Sequence, residues 1–122
     1  GMTTRLVASK QLRNVQGIFL PTHTAIHGYE IHNGVSEGPA LSRPMLKLGE
    51  RDEGVVSDDG KIMGCYLHGL FDSAEAGNAI LQWAGLRSDR AVDYDAHRQK
   101  DLDRLADMID QHLDTEKLLS VL

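Results

Sequence analysis

Apolar and polar residues alternate along most of the first two thirds of this chain, and recur at helical spacing over the last third. The alternation predicts strands at Thr3–Val7 and Val15–Leu20, separated by a polar stretch, with Pro21 ending the second. A third strand is predicted over Ala25–His32. On it Ile26, Gly28, Glu30 and His32 share one face, while His27, Tyr29 and Ile31 share the other. Ser36-Glu37-Gly38-Pro39 signals a turn. Short strands follow at Met45–Leu48 and Glu53–Ser57. The Asp58-Asp59-Gly60 turn then makes a hairpin with Lys61–His68. That last strand puts Met63, Cys65 and Leu67 on one face and Ile62, Gly64, Tyr66 and His68 on the other.

The pattern changes at Asp72-Ser73-Ala74-Glu75, which resembles a capping box. A helix is predicted from there to about Ala84, with Gly85 as its stop. A longer helix covers about Asp95–Leu113, where Leu102, Leu105, Ala106, Ile109 and Leu113 form an apolar stripe. Asp114 or Thr115 caps a short third helix ending in Leu118, Leu119 and Leu122. Strands first and helices last is a locally α+β order.

Composition narrows the function. The chain has 122 residues, 41% hydrophobic and 25% charged, which suits one soluble domain with one core. A net charge of −5 with scattered Lys and Arg argues against nucleic acid or an anionic membrane as partner. No apolar run approaches the roughly 20 residues that span a bilayer. A single cysteine excludes an internal disulfide and fits a cytoplasmic protein. Gly1 before Met2 reads as the scar of a cleaved tag, so the expected domain is 2–122.

Candidate chemistry gathers in two glycine-flanked segments, Gly28-Tyr29-Glu30-Ile31-His32-Asn33-Gly34 and Gly64-Cys65-Tyr66-Leu67-His68-Gly69-Leu70-Phe71-Asp72. His68 closes a strand with glycine after it, a position that suits proton transfer near neutral pH. The plain alternative is a histidine that only hydrogen-bonds at a junction. Glu30 and His32 share a face roughly 7 Å apart, close enough for the acid to orient a ring. A solvated polar face is the simpler alternative. Cys65 alternates with Met63 and Leu67, so it reads as an inert core thiol rather than a nucleophile. His23, His27 and His32 match no zinc spacing, and no metal site is expected.

These two segments, with Glu37-Gly38-Pro39, resemble signatures of cobyric acid synthase. In that family they belong to the C-terminal part of a glutamine amidotransferase domain. The likeness continues through Val55–Ile62, the Asp93-Tyr94-Asp95 approach to the long helix and the Leu113-Asp114 step. More loosely, it includes Thr3-Thr4 and Lys10-Gln11-Leu12-Arg13. The resemblance implies an α/β fold: the C-terminal portion of a flavodoxin-like class I amidotransferase domain. It implies glutamine hydrolysis, with ammonia delivered for ATP-dependent amidation of corrin carboxylates in cobalamin biosynthesis. His68 matches the catalytic histidine. The family's pattern lacks the acid that triad-type amidotransferases usually carry two residues after the histidine, here Leu70, so Glu30 is expected to orient His68 from a neighbouring strand. Tyr29 and His32 are expected to contact the glutamine.

The family's nucleophilic cysteine lies in a glycine-rich strand-to-helix elbow upstream of these motifs, and this chain contains no such elbow. The chain alone is therefore expected not to hydrolyse glutamine. No cofactor is expected here, because ATP and magnesium belong to a separate synthetase domain. The expected partners are glutamine, the N-terminal part of the enzyme, and further copies of this chain. The rivals are a related amidotransferase such as cobyrinic acid a,c-diamide synthase, and a non-catalytic interaction module that kept the fold.

Overall fold

The computed structural model describes residues 1–86 and 93–120. It divides into two compact units, 1–92 and 93–122, each treated by itself.

The first unit is built on one antiparallel sheet. Strand β1 (Thr3–Phe19) and strand β2 (Thr24–Glu37) form a long hairpin. Two strands were expected where β1 stands. The polar stretch between them is also extended, because β2 pairs with it on either side of a register shift between Leu6 and Gln11. The connection turns at Pro21 and puts His23 at φ 55°, a left-handed conformation.

Beyond β1 lie β3 (Leu46–Leu48) and β4 (Arg51–Glu53), and beyond β2 lies the two-residue β7 (Leu67–His68). The sheet order is β4-β3-β1-β2-β7. A separate small hairpin joins β5 (Val55–Val56) to β6 (Met63–Gly64) through the anticipated Asp58–Gly60 turn. Asp59 holds that turn, accepting from the Ser57 hydroxyl and the Lys61 amide.

Two expected strands are broken. Glu53–Ser57 divides at Gly54, whose φ of 70° favours glycine and where a Cβ would strike the Gly64 carbonyl oxygen. Lys61–His68 divides at Cys65 and Tyr66. There the Tyr66 amide donates to the Glu53 carboxylate at 2.9 Å instead of to a strand. Tyr66 and His68 consequently do not share a face.

One face of the sheet is buried. Phe19, Ile26, Leu46, Leu48 and Leu67 form its apolar part, and Leu70 with Ala76, Ala79 and Ile80 of helix α1 (Ala74–Trp83) joins the same cluster. Ser73, not Asp72, caps α1, accepting from the Ala76 amide. Gly85 at φ 90° ends it, with paired bonds from Gly85 to Gln82 and from Leu86 to Leu81. The carbonyl of Gly1, set aside as a scar, accepts from the Ala40 amide.

The second unit holds α2 (Tyr94–His112), capped by Asp93, and the short α3 (Thr115–Leu119), whose Lys117 amide donates to Asp114. Leu122, expected to extend the apolar side of α3, lies outside the described residues. No residue of α2 is buried.

Candidate active site

The pairing of β2 with β7 decides where each candidate points. Tyr29 is opposite His68, and Glu30 is opposite Leu67. Directly paired residues share a face, and neighbours along a strand alternate. Tyr29 and His68 therefore lie on the outer face of the sheet, and Glu30 lies on the buried one. The expected orientation of His68 by Glu30 is not made: the sheet separates them.

On the outer face the Tyr29 and His68 rings stack, with centroids 5.1 Å apart and planes 9° from parallel. Gly28 allows this approach, because a Cβ there would fall onto the His68 carbonyl oxygen. Gly69 follows His68 with φ 81°, turning the chain so that Leu70 re-enters the core. Leu70, two residues after His68, is thus apolar and only 8% exposed. His68 itself is exposed.

On the inner face Glu30 is fully buried. Its Oε2 accepts from Arg13 Nε at 2.6 Å and from Arg51 Nη2 at 2.8 Å. Burial alone would push its carboxyl up. The hydrogen bonds from Arg13 and Arg51, with their charges, outweigh burial and hold it below the ordinary carboxylate range. Arg51 also donates to Glu53 at 2.9 Å.

His32 belongs to this inner network. Its ring stacks on Tyr66 at 4.0 Å, and Nδ1 donates to the Gly34 carbonyl oxygen at 2.9 Å. Nε2 sits 3.6 Å from Glu30 Oε1, and both atoms are buried without a hydrogen-bond partner. Arg13, His32, Arg51, Glu53 and Tyr66 line part of an inner-face cavity of about 700 Å³. The sequence did not reveal Arg13 or Arg51 as partners of Glu30. Its signal was an acid on the same strand face as Ile26, because a buried acid requires cations.

Cys65 is half-buried against the core, and its thiol donates to the Leu67 carbonyl. Burial pushes the thiol up, and the nearby Glu53 and Glu30 carboxylates push it further. It is a poor nucleophile. His27 and His32 lie on opposite faces of β2, as expected from their spacing.

Residues 1–76, which include both histidine segments, match the model of the CobB/CobQ-like glutamine amidotransferase domain. The chain belongs to that family. The match covers more than half of the 122 residues and ends within α1, so the likenesses noted at Asp93–Asp95 and Leu113-Asp114 lie beyond it. No solved structure matches the chain. Family membership gives this amidotransferase domain a glutamine-dependent role. No described helix is long and apolar enough to cross a membrane.

Proposed function

We propose that this chain is the histidine-bearing part of the glutaminase site of a cobyric acid synthase, with His68 as its base and acid. The observation that carries the reading is the exposed His68 ring, seated on the outer face by Gly28 and stacked on Tyr29, inside the family-matched segment. In this chemistry a thiolate attacks the glutamine carbonyl carbon. The histidine first takes the thiol proton and then gives it to the departing ammonia. Water hydrolyses the thioester by the same histidine. Ammonia then serves ATP-dependent amidation of corrin carboxylates in a separate synthetase domain. ATP and magnesium belong to that domain, and no residue here is assigned to them. The motif in its long Gly-Tyr-Glu-Ile-His-Asn-Gly form favours cobyric acid synthase over the related a,c-diamide synthase.

The nucleophile comes from outside these residues. Cys65 is the only cysteine, and its raised thiol packs against the core away from His68. The elbow that carries the thiol approaches the outer face, where Leu12, Ile18, Tyr29 and Ile31 are exposed beside His68. The whole domain would then be flavodoxin-like, with this sheet as its antiparallel extension. The open edge of β1 pairs with a second copy when the chain is alone, and the protein works in the cytoplasm.

Ammonia release from glutamine by this chain alone tests the division of the site. None is expected. Release that Cys65→Ser abolishes would overturn the reading.

A further inference from the structure

The ring of His68 has no hydrogen-bonding or ionic partner among the described residues. Triad-type sites fix their histidine with a carboxylate bonded to the ring nitrogen. Here Glu30 is on the other face and position 70 is a buried leucine. What holds the imidazole plane is the Tyr29 ring, nearly parallel at 9° and directly opposite in register. We propose that Tyr29 is the positioning residue of His68: the aromatic stack replaces the carboxylate as the element that orients the base. This role rests on the reading of His68 as the base, and it differs from the substrate contact first expected of Tyr29.

The physical case has three parts. Gly28 brings the β7 backbone against β2, so the two rings meet at stacking distance. The imidazole is attached through two rotatable bonds, and the stack restricts both without consuming either ring nitrogen. Both nitrogens remain available, one to the thiol and one to solvent or a group brought by the partner segment. His27, on the same face of β2, supplies no carboxylate, and the Asp72 carboxylate beside Gly69 makes no hydrogen bond to the His68 ring among the described residues.

A positioning role predicts a particular kinetic split. Loss of orientation removes something used in the transition state, so kcat falls while KM stays; loss of a substrate contact raises KM instead. The test uses the complete enzyme that carries this chain, with glutaminase kinetics of Tyr29→Ala, Tyr29→Phe and His68→Ala. Tyr29→Ala is expected to lower kcat about tenfold with KM within about twofold, and Tyr29→Phe to stay within about twofold of wild type. A raised KM at unchanged kcat, or wild-type kinetics for Tyr29→Ala, would overturn the positioning role. The underlying functional reading fails separately, if His68→Ala is fully active.

A second readout needs no catalysis. In this chain the His68 ring protons should resonate upfield under the Tyr29 ring current. Tyr29→Phe should keep that shift and Tyr29→Ala should lose it. A shift unchanged in Tyr29→Ala, in protein that remains folded, would overturn the stack itself.

Discussion

Gly28 has space for no side chain, and Gly64 has open space where a Cβ would stand. The contrast gives a paired test of how His68 is seated. Gly28→Ala must push β2 and β7 apart and should cost about 1–3 kcal/mol, whereas Gly64→Ala should stay within about 0.5 kcal/mol. Urea denaturation measures both. Leu70 supplies a complementary test. Placing the usual acid there, as Leu70→Glu, would bury an unpaired carboxylate. It should destabilise by about 3 kcal/mol or more rather than rebuild a triad, again read by denaturation. Glu30 sets a pH dependence. Its carboxyl is held below the ordinary range, so the unfolded state takes up protons first as pH falls. The stability it contributes is present above about pH 4.3, the unfolded value for Glu, and is lost as pH falls through the lower folded value. Glu30→Gln should flatten that acid limb of a stability–pH curve. An unchanged limb would show that Arg13 and Arg51 do not grip the carboxylate.

At the scale of elements, the sequence was informative wherever local chemistry decided the outcome. The Asp58–Gly60 hairpin, the Pro21 stop, the Gly85 helix end and the amphipathic course of α2 all followed from turn residues, caps and periodicity. It misled where a distant partner decided. The polar middle of β1 became strand because β2 runs beside it, and Lys61–His68 was interrupted because the Glu53 side chain takes the Tyr66 amide. That break also moved Tyr66 to the His32 side. Of the candidate site, the strand-end position of His68 and the glycine turn after it were legible. The separation of Glu30 from His68 was not, because it depends on the register between β2 and β7 rather than on either strand alone. Helix α2 buries none of its residues, so its amides lack the protection of a packed face. Hydrogen exchange should be faster through α2 than through the Phe19 and Ile26 region of the β hairpin. Equal protection would mean that its apolar stripe is covered in solution.

For the whole molecule, the first unit presents an open edge along β1. Its far side pairs with β3 only at Ile18 and Phe19, leaving the rest of that edge open among the described residues. Leu6 and Leu12, 80% and 71% exposed, stand on the same strand. Open edges of this length recruit another strand. Light scattering at micromolar concentration should therefore show a dimer or larger species, and a monomer would contradict the pairing proposed for the isolated chain. The proposed division of the catalytic site is the larger consequence: histidine on this chain, nucleophile on another segment. It is tested most directly by ammonia release from glutamine in the complete enzyme, comparing His68→Ala with Cys65→Ser. His68→Ala should lose on the order of a thousandfold or more in kcat, and Cys65→Ser should stay within about twofold. Full activity in His68→Ala, or silence in a folded Cys65→Ser, would contradict the assignment.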